Sequence, residues 1–203
     1  LFRDLKNVRY APDILFGYPI KDCEHKKNVF ISVVDLSKKG QESSKAPEQY
    51  EHWLVREIQN ANSRGYTVTL CSFCDGEGDA AVVERLAEVV GKRGGAVEKM
   101  YYRGNPDAIL DKISVSEYVI ASRFHASILS LSAGCRVLPV IYSAKTRNVL
   151  CDMGYPIECC VDLTSDNSDI FKHDVFDAQY VALRGIKQRA ESHFEMFDQW
   201  VRS

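Results

Sequence analysis

The chain has 203 residues, a length that suits one large domain or one domain with an appendage. Its composition, 45% hydrophobic and 27% charged, is that of a globular protein, and a net charge of -2 gives no blanket electrostatic case for nucleic-acid or anionic-membrane binding. No apolar stretch approaches the roughly 18 residues of a spanning helix, and Leu1-Phe2-Arg3-Asp4 brings charge before any apolar run, so no signal peptide is read and a cytoplasmic setting is expected.

In chain order, residues 10–16 read as a strand end and linker, with a domain boundary near residues 22–27. Residues 1–24 are therefore expected to be the tail of a preceding half plus a linker, and residues 25–203 the domain. Val29-Phe30-Ile31-Ser32-Val33-Val34 reads as a buried strand, and residues 35–47 as a polar loop. An amphipathic helix follows, with Tyr50, Trp53, Leu54, Ile58 and Ala61 on one stripe and its end near Gly65. Further strands are expected at 66–73, 97–102, 118–121 and 137–142, and a short one at 159–161. Helices are expected at 80–90, 106–113, 123–133 (with Ser122 as N-cap and Gly134 past the end) and 146–153. A long helix over 175–201 is read from Ala178, Ala182, Ile186, Ala190, Phe194 and Phe197. Strands alternating with helices at this pitch predict an α/β fold, a Rossmann-like doubly wound parallel sheet.

In such a sheet ligands sit outside the carboxyl ends of the strands, against helix N-termini. Of the loops there, Ala121-Ser122-Arg123-Phe124-His125-Ala126 is the most suggestive. It places an Arg and a His in the first turn of a helix whose dipole and free N–H groups favour an anion. An Arg fork suits carboxylate or phosphate, and imidazole can deliver a proton near neutral pH. The bland alternative is a surface Arg123 and a structural His125. The next strand end carries Tyr142-Ser143-Ala144-Lys145, where Lys145 becomes a candidate phosphate contact.

Other motifs compete. Gly76-Glu77-Gly78-Asp79-Ala80-Ala81 has the G-x-G-x-x-A spacing of dinucleotide-binding turns, but Glu77 and Asp79 would face a pyrophosphate. A polar turn capping a helix is the preferred reading. Seven cysteines are an odd number for a disulfide framework and several lie in apolar runs, so reduced, buried thiols are expected. Cys71-Ser72-Phe73-Cys74 has C-x-x-C spacing; it would be a zinc site only if the fold brought Cys159-Cys160 to it. No motif requires a metal or a cofactor.

The residues now assembled resemble the C-terminal half of the polysaccharide pyruvyl transferase family. The resemblance is carried by Asn7-Val8-Arg9-Tyr10-Ala11-Pro12-Asp13, by Tyr118 through Ala126, by Ala133-Gly134-Cys135-Arg136-Val137-Leu138-Pro139-Val140-Ile141-Tyr142, by Lys145 and by Asp152-Met153-Gly154. It implies a GT-B-like transferase of two Rossmann-type halves. Such enzymes move the pyruvyl group of phosphoenolpyruvate onto two hydroxyls of a surface-polysaccharide or exopolysaccharide sugar as a cyclic ketal. Arg123 and His125 match the family's R-x-H pair, implying catalytic roles for both and a donor-binding set of Ser122, Arg123, His125, Tyr142, Ser143 and Lys145. The implied partners are phosphoenolpyruvate and a glycan or lipid-linked sugar, the latter allowing peripheral membrane association; oligomeric state is not readable. Two departures stand out. Ser32-Val33-Val34-Asp35 occupies the place where the family often has S-V-R, so a donor cation is expected to be lost there, with Asp35 repelling the donor and Lys38 or Lys39 as replacements. The family's N-terminal half is also not represented, so the chain alone is expected to be inactive. A GT-B glycosyltransferase using a nucleotide sugar and a catalytically inactive Rossmann-like module remain as alternatives.

Overall fold

The computed structural model describes residues 11–39, 46–165, 169–183 and 185–202. Six parallel strands form one sheet: β1 (Lys26–Ser32), β2 (Thr67–Ser72), β3 (Glu98–Tyr101), β4 (Ser116–Ala121), β5 (Arg136–Ile141) and β6 (Val161–Asp162). Their spatial order is β3-β2-β1-β4-β5-β6, that of doubly wound Rossmann sheets, in which the chain reverses direction between β1 and β4. The strands read as unbroken apolar runs because both faces are covered; Val29, Phe30 and Ile31 have no exposed surface.

The helices α1 (Ala46–Ser63) and α2 (Asp79–Lys92) cover one face, where Trp53, Leu54, Ile58, Val82 and Leu86 pack on Ile31 and Leu70. On the other face lie α3 (Pro106–Ser114), α4 (Phe124–Ser132) and α5 (Ala144–Asp152), whose Ile113, Leu129 and Leu150 pack on Phe30, Val119 and Ile141. The crossover from β3 to β4 through α3 changes faces and opens the crevice at the carboxyl ends of the strands.

Three expectations are corrected. From residue 11 on, no strand end precedes the domain. Ile14–Gly17 is a 3-10 turn capped by Asp13, and its Phe16 is buried against Ile128, Ile186 and Ala190. Residues 1–10, with part of the family-like opening segment, lie outside the described residues. The short sixth strand begins at Val161, because Ile157–Cys159 closes a 3-10 turn.

The expected helix over 175–201 is instead a chain of shorter pieces. Asp174 and Asp177 cap a 3-10 turn at Val175–Asp177, Gln179 then pairs antiparallel with Val137, and Gly185 (φ 68°) starts α6 (Ile186–Glu191). A further turn at Ser192–Phe194 leads into α7 (Glu195–Arg202). The helical spacing was real but belonged to different surfaces: Ala178 packs on the α1/α2 face, Ile186 and Ala190 on Phe16, and Ala182 is exposed.

Candidate functional site

A cleft of about 640 Å³ opens at the carboxyl ends of β2 to β5. Strand β4 ends at Ala121 and delivers Arg123, Phe124 and His125 to one wall; β5 ends at Ile141 and delivers Tyr142, Ser143 and Lys145 beside them. The structure thus brings five of the six expected site residues into one cavity. Ser122 is the exception. It is 1% exposed, its Oγ accepts the Tyr50 hydroxyl at 2.7 Å, and its N–H donates to Ser32 Oγ at 3.0 Å. It braces the end of β4 on β1 and is not the helix cap expected: Arg123 holds the N-cap position of α4 and makes no side-chain capping bond. The first amides of α4 therefore point out of the strand end without a side-chain cap, which suits an anion. At α5 the cap is Ser143, whose Oγ accepts the Thr146 N–H.

His125 and Lys145 are exposed on the cleft, and both rest on Phe124. The imidazole meets the ring edge-on at 5.2 Å, and the Lys145 ammonium lies 4.5 Å from the ring centroid. Among the described residues Lys145 has no ion-pair partner, so its charge is available to a ligand.

Arg123 is in a different state. Its side chain is 11% exposed, its Nε donates to Asp79 Oδ2 at 2.8 Å, its Nη2 pairs with Asp79 Oδ1, and its Nη1 pairs with Glu77. Burial disfavours its charge, but its hydrogen bonds to Asp79 and Glu77 outweigh that and raise its pKa above the ordinary guanidinium value. Asp79 has no exposed surface and also accepts the backbone N–H of Cys74 at 3.0 Å. Arg123 is thus an immobilised cation, with two of its three nitrogens turned toward the protein's own buried carboxylate.

The other sequence features resolve around this pair. Asp75–Glu77 form a 3-10 turn followed by a left-handed residue, Gly78 (φ 92°), and the acidic side chains that would oppose a pyrophosphate hold Arg123. Asp35 does not line the cleft. Its Oδ1 accepts from the N–H and hydroxyl of Ser37, capping a 3-10 turn at Leu36–Lys38. That turn carries Lys39 into the cleft, where its ammonium pairs with Glu77. Lys39 therefore stands where a cation after β1 was expected to be missing, and Asp35 is turned away from the ligand space.

Cys71 is buried, and desolvation pushes its thiol up to about 12. Cys159 and Cys160 lie beside β6, with β1, β4 and β5 between that strand and β2, so the two cysteine pairs cannot share a metal. Among the described residues no three His, Cys, Asp or Glu side chains form a metal-binding group. Three further aromatic residues line the cleft and were not signalled by any motif: Phe73 and Tyr102 follow β2 and β3, and Tyr18 comes from the N-terminal segment. Tyr102 and Tyr18, 39% and 38% exposed, offer flat faces of the kind sugars stack on. Among the described residues no helix is long and apolar enough to cross a membrane.

Comparison with known proteins places this cleft in context. Among solved structures, the chain is similar to the Thermobaculum terrenum O-GlcNAc transferase K341M mutant. The two are 14% identical with a TM-score of 0.49, over 90% of this chain and 33% of that one, so the chain spans about a third of that relative's length. No curated protein matches. A family profile for polysaccharide pyruvyl transferase matches residues 2–144, a span that runs through β5 and takes in Lys39, Glu77, Asp79, Arg123, His125 and Ser143. With that profile over more than two thirds of its length, the chain belongs to the polysaccharide pyruvyl transferase family.

Proposed function

We propose that this chain is the donor-binding part of a pyruvyl transferase that takes phosphoenolpyruvate and transfers its pyruvyl group, as a cyclic ketal, to a sugar of a surface polysaccharide. The observation that carries the reading is the meeting of exposed His125 and exposed Lys145 at the start of α4 and α5, inside one cleft with the fixed Arg123.

The chemistry asks for such an arrangement. Phosphoenolpyruvate reacts when its CH2 carbon is protonated and positive charge develops at C2. Two acceptor hydroxyls then form two C–O bonds to C2, and the bond from C2 to the phosphate oxygen breaks. Of the two hydroxyl protons released, one balances the proton delivered to the methyl and one leaves with phosphate; nothing is oxidised or reduced. His125 is the group placed to give the first proton, because an imidazole can do so near neutral pH. Lys145 and the α4 and α5 amides would receive the phosphate, whose negative charge grows as the bond breaks. Tyr18 and Tyr102 would flank the acceptor.

Calorimetric titration of phosphoenolpyruvate into the chain, with Lys145→Met and His125→Ala variants, tests the reading. Both positions are exposed, so the variants report binding and not folding. Saturable binding that weakens about tenfold in Lys145→Met is expected, in line with the loss of one charge-assisted contact. A uridine diphosphate sugar that binds where phosphoenolpyruvate does not would replace this function with glycosyl transfer.

A further inference from the structure

Glu77 is a charged wall residue to which the transfer chemistry gives no role. Glu77 is 44% exposed on the cleft, and two cations converge on a single one of its oxygens: the Lys39 ammonium and the Nη1 of Arg123 both donate to Oε2. The two cations are held differently. Asp79 pins the guanidinium through Nε and Nη2 from the buried side, so Arg123 keeps its place whether or not Glu77 is there. The Glu77 backbone is also fixed: its N–H donates to the Cys74 carbonyl at 3.1 Å, and the Gly78 N–H to the Asp75 carbonyl at 3.0 Å. Gly78 is wedged in, since a Cβ there would lie 2.6 Å from Asp35 Oδ2. What can move is the Glu77 side chain itself, by rotation into solvent.

We propose that Glu77 is an internal stand-in for a ligand anion. Its carboxylate occupies a Lys39–Arg123 subsite in the unliganded protein, and a carboxylate or phosphate group of the ligand takes its place. The subsite is defined by chemistry alone; calling its natural ligand phosphoenolpyruvate rests on the function proposed above. The exchange conserves hydrogen bonds, because the entering anion accepts the two donors that Glu77 releases, while Glu77 is solvated by water. The preference of this spot for negative charge is visible in Glu77, whose carboxyl is lowered to about 2 by hydrogen bonds first from Lys39 and then from Arg123. Charge explains why displacement is needed. Lys39 and Arg123 are matched by Glu77 and Asp79, so an anion finds no net positive charge there until Glu77 leaves.

The test is Glu77→Gln, which keeps size and removes the competing charge, with phosphoenolpyruvate, pyruvate and inorganic phosphate titrated by calorimetry. The expected result is about tenfold tighter binding of at least one of these anions in Glu77→Gln, from relief of one like charge at contact distance. Adding Lys39→Met to the variant should abolish the gain, and Lys39→Met alone should weaken the same anion. Unchanged or weaker binding of all three anions in Glu77→Gln overturns the proposal, as does a lowered melting temperature with no change in affinity. The two readings separate cleanly. If inorganic phosphate gains in a Lys39-dependent way while phosphoenolpyruvate binds neither chain, the stand-in holds and the donor assignment falls. If phosphoenolpyruvate binds both chains equally and neither pyruvate nor inorganic phosphate gains, the stand-in falls and the donor assignment survives.

Discussion

Substituting Arg123 by Ala is the obvious way to ask whether the R-x-H turn binds a donor, and the structure says it will mainly unfold the site. Asp79 has no exposed surface, and Arg123 supplies two of its hydrogen bonds. After the substitution it keeps the Cys74 N–H at 3.0 Å and a long contact from the Asp35 N–H at 3.4 Å, too little to hold a buried carboxylate. Removing one partner of a buried pair costs about 3–5 kcal/mol. For a domain of this size each kcal/mol moves the melting temperature by about 2–4 °C, so a fall on the order of 10 °C is expected. The second arm is Arg123→Met with Asp79→Asn, which removes both charges while an amide oxygen still accepts from Cys74. That double variant should recover about 2 kcal/mol over the single one, because a neutral replacement of a buried pair is far less damaging than half of it. Urea denaturation followed by circular dichroism reads both, with the slope checked for two-state behaviour. A loss under about 1 kcal/mol for Arg123→Ala, or a double variant no more stable than the single, would refute the assignment of Asp79 as the buried anchor of Arg123.

Two further predictions concern groups away from the cleft. The Glu57 side chain is 1% exposed, and burial raises its pKa from 4.5, partly countered by the Val175 N–H and by Arg56. A carboxyl raised in the folded state binds its proton more tightly there than in the unfolded chain, so its contribution to stability falls as pH rises above the unfolded value. Glu57→Gln should therefore gain on the natural chain in urea midpoints as pH rises above 4.5, and a gap independent of pH would contradict this. For the thiols, burial puts Cys71, Cys135 and Cys160 at about 12, whereas Cys151 is exposed. Iodoacetamide should label Cys151 in the native chain and reach the other three only in denaturant, as read by peptide mass spectrometry; early labelling of Cys71 would contradict its burial.

Most of the architecture was legible because it is written in local terms. Apolar runs such as Val29 to Ile31 and the stripe through Trp53, Leu54 and Ile58 report burial on two faces, whatever they pack against. The strand-end cluster was legible for the same reason: in a parallel sheet the residues just after each strand must share one edge, which brings Arg123 and Lys145 together without any contact being known. What stayed hidden is pairing across the chain. Arg123 and Asp79 are 44 residues apart, and nothing near either one marks the other. Glu77 and Asp79 were visible as charges hostile to a pyrophosphate, but their cationic partners follow β1 and β4, which only the sheet order brings to the same edge as the end of β2. The C-terminal pieces failed for a related reason, since a 3.6-residue spacing of apolar side chains can arise from segments that bury against separate surfaces.

The pairing changes how the site can use charge. A cation that must be rigid in a partly buried place needs a carboxylate behind it, and that carboxylate cancels much of the field the cation would cast on a ligand. Arg123 is therefore well positioned and weakly attractive, whereas Lys145, exposed against the Phe124 ring, is attractive and loosely positioned. A ligand with a single anionic group would be satisfied by Lys145 and the amides of α4 and α5, and would gain little from Arg123. A ligand with two anionic groups a few ångströms apart can use the second group to displace Glu77 and collect the donors of Lys39 and Arg123 together. Discrimination between such ligands should then lie in the Glu77 exchange: in Glu77→Gln, inorganic phosphate and pyruvate should approach the affinity of phosphoenolpyruvate, and a preference for phosphoenolpyruvate left intact would place the selectivity elsewhere in the cleft.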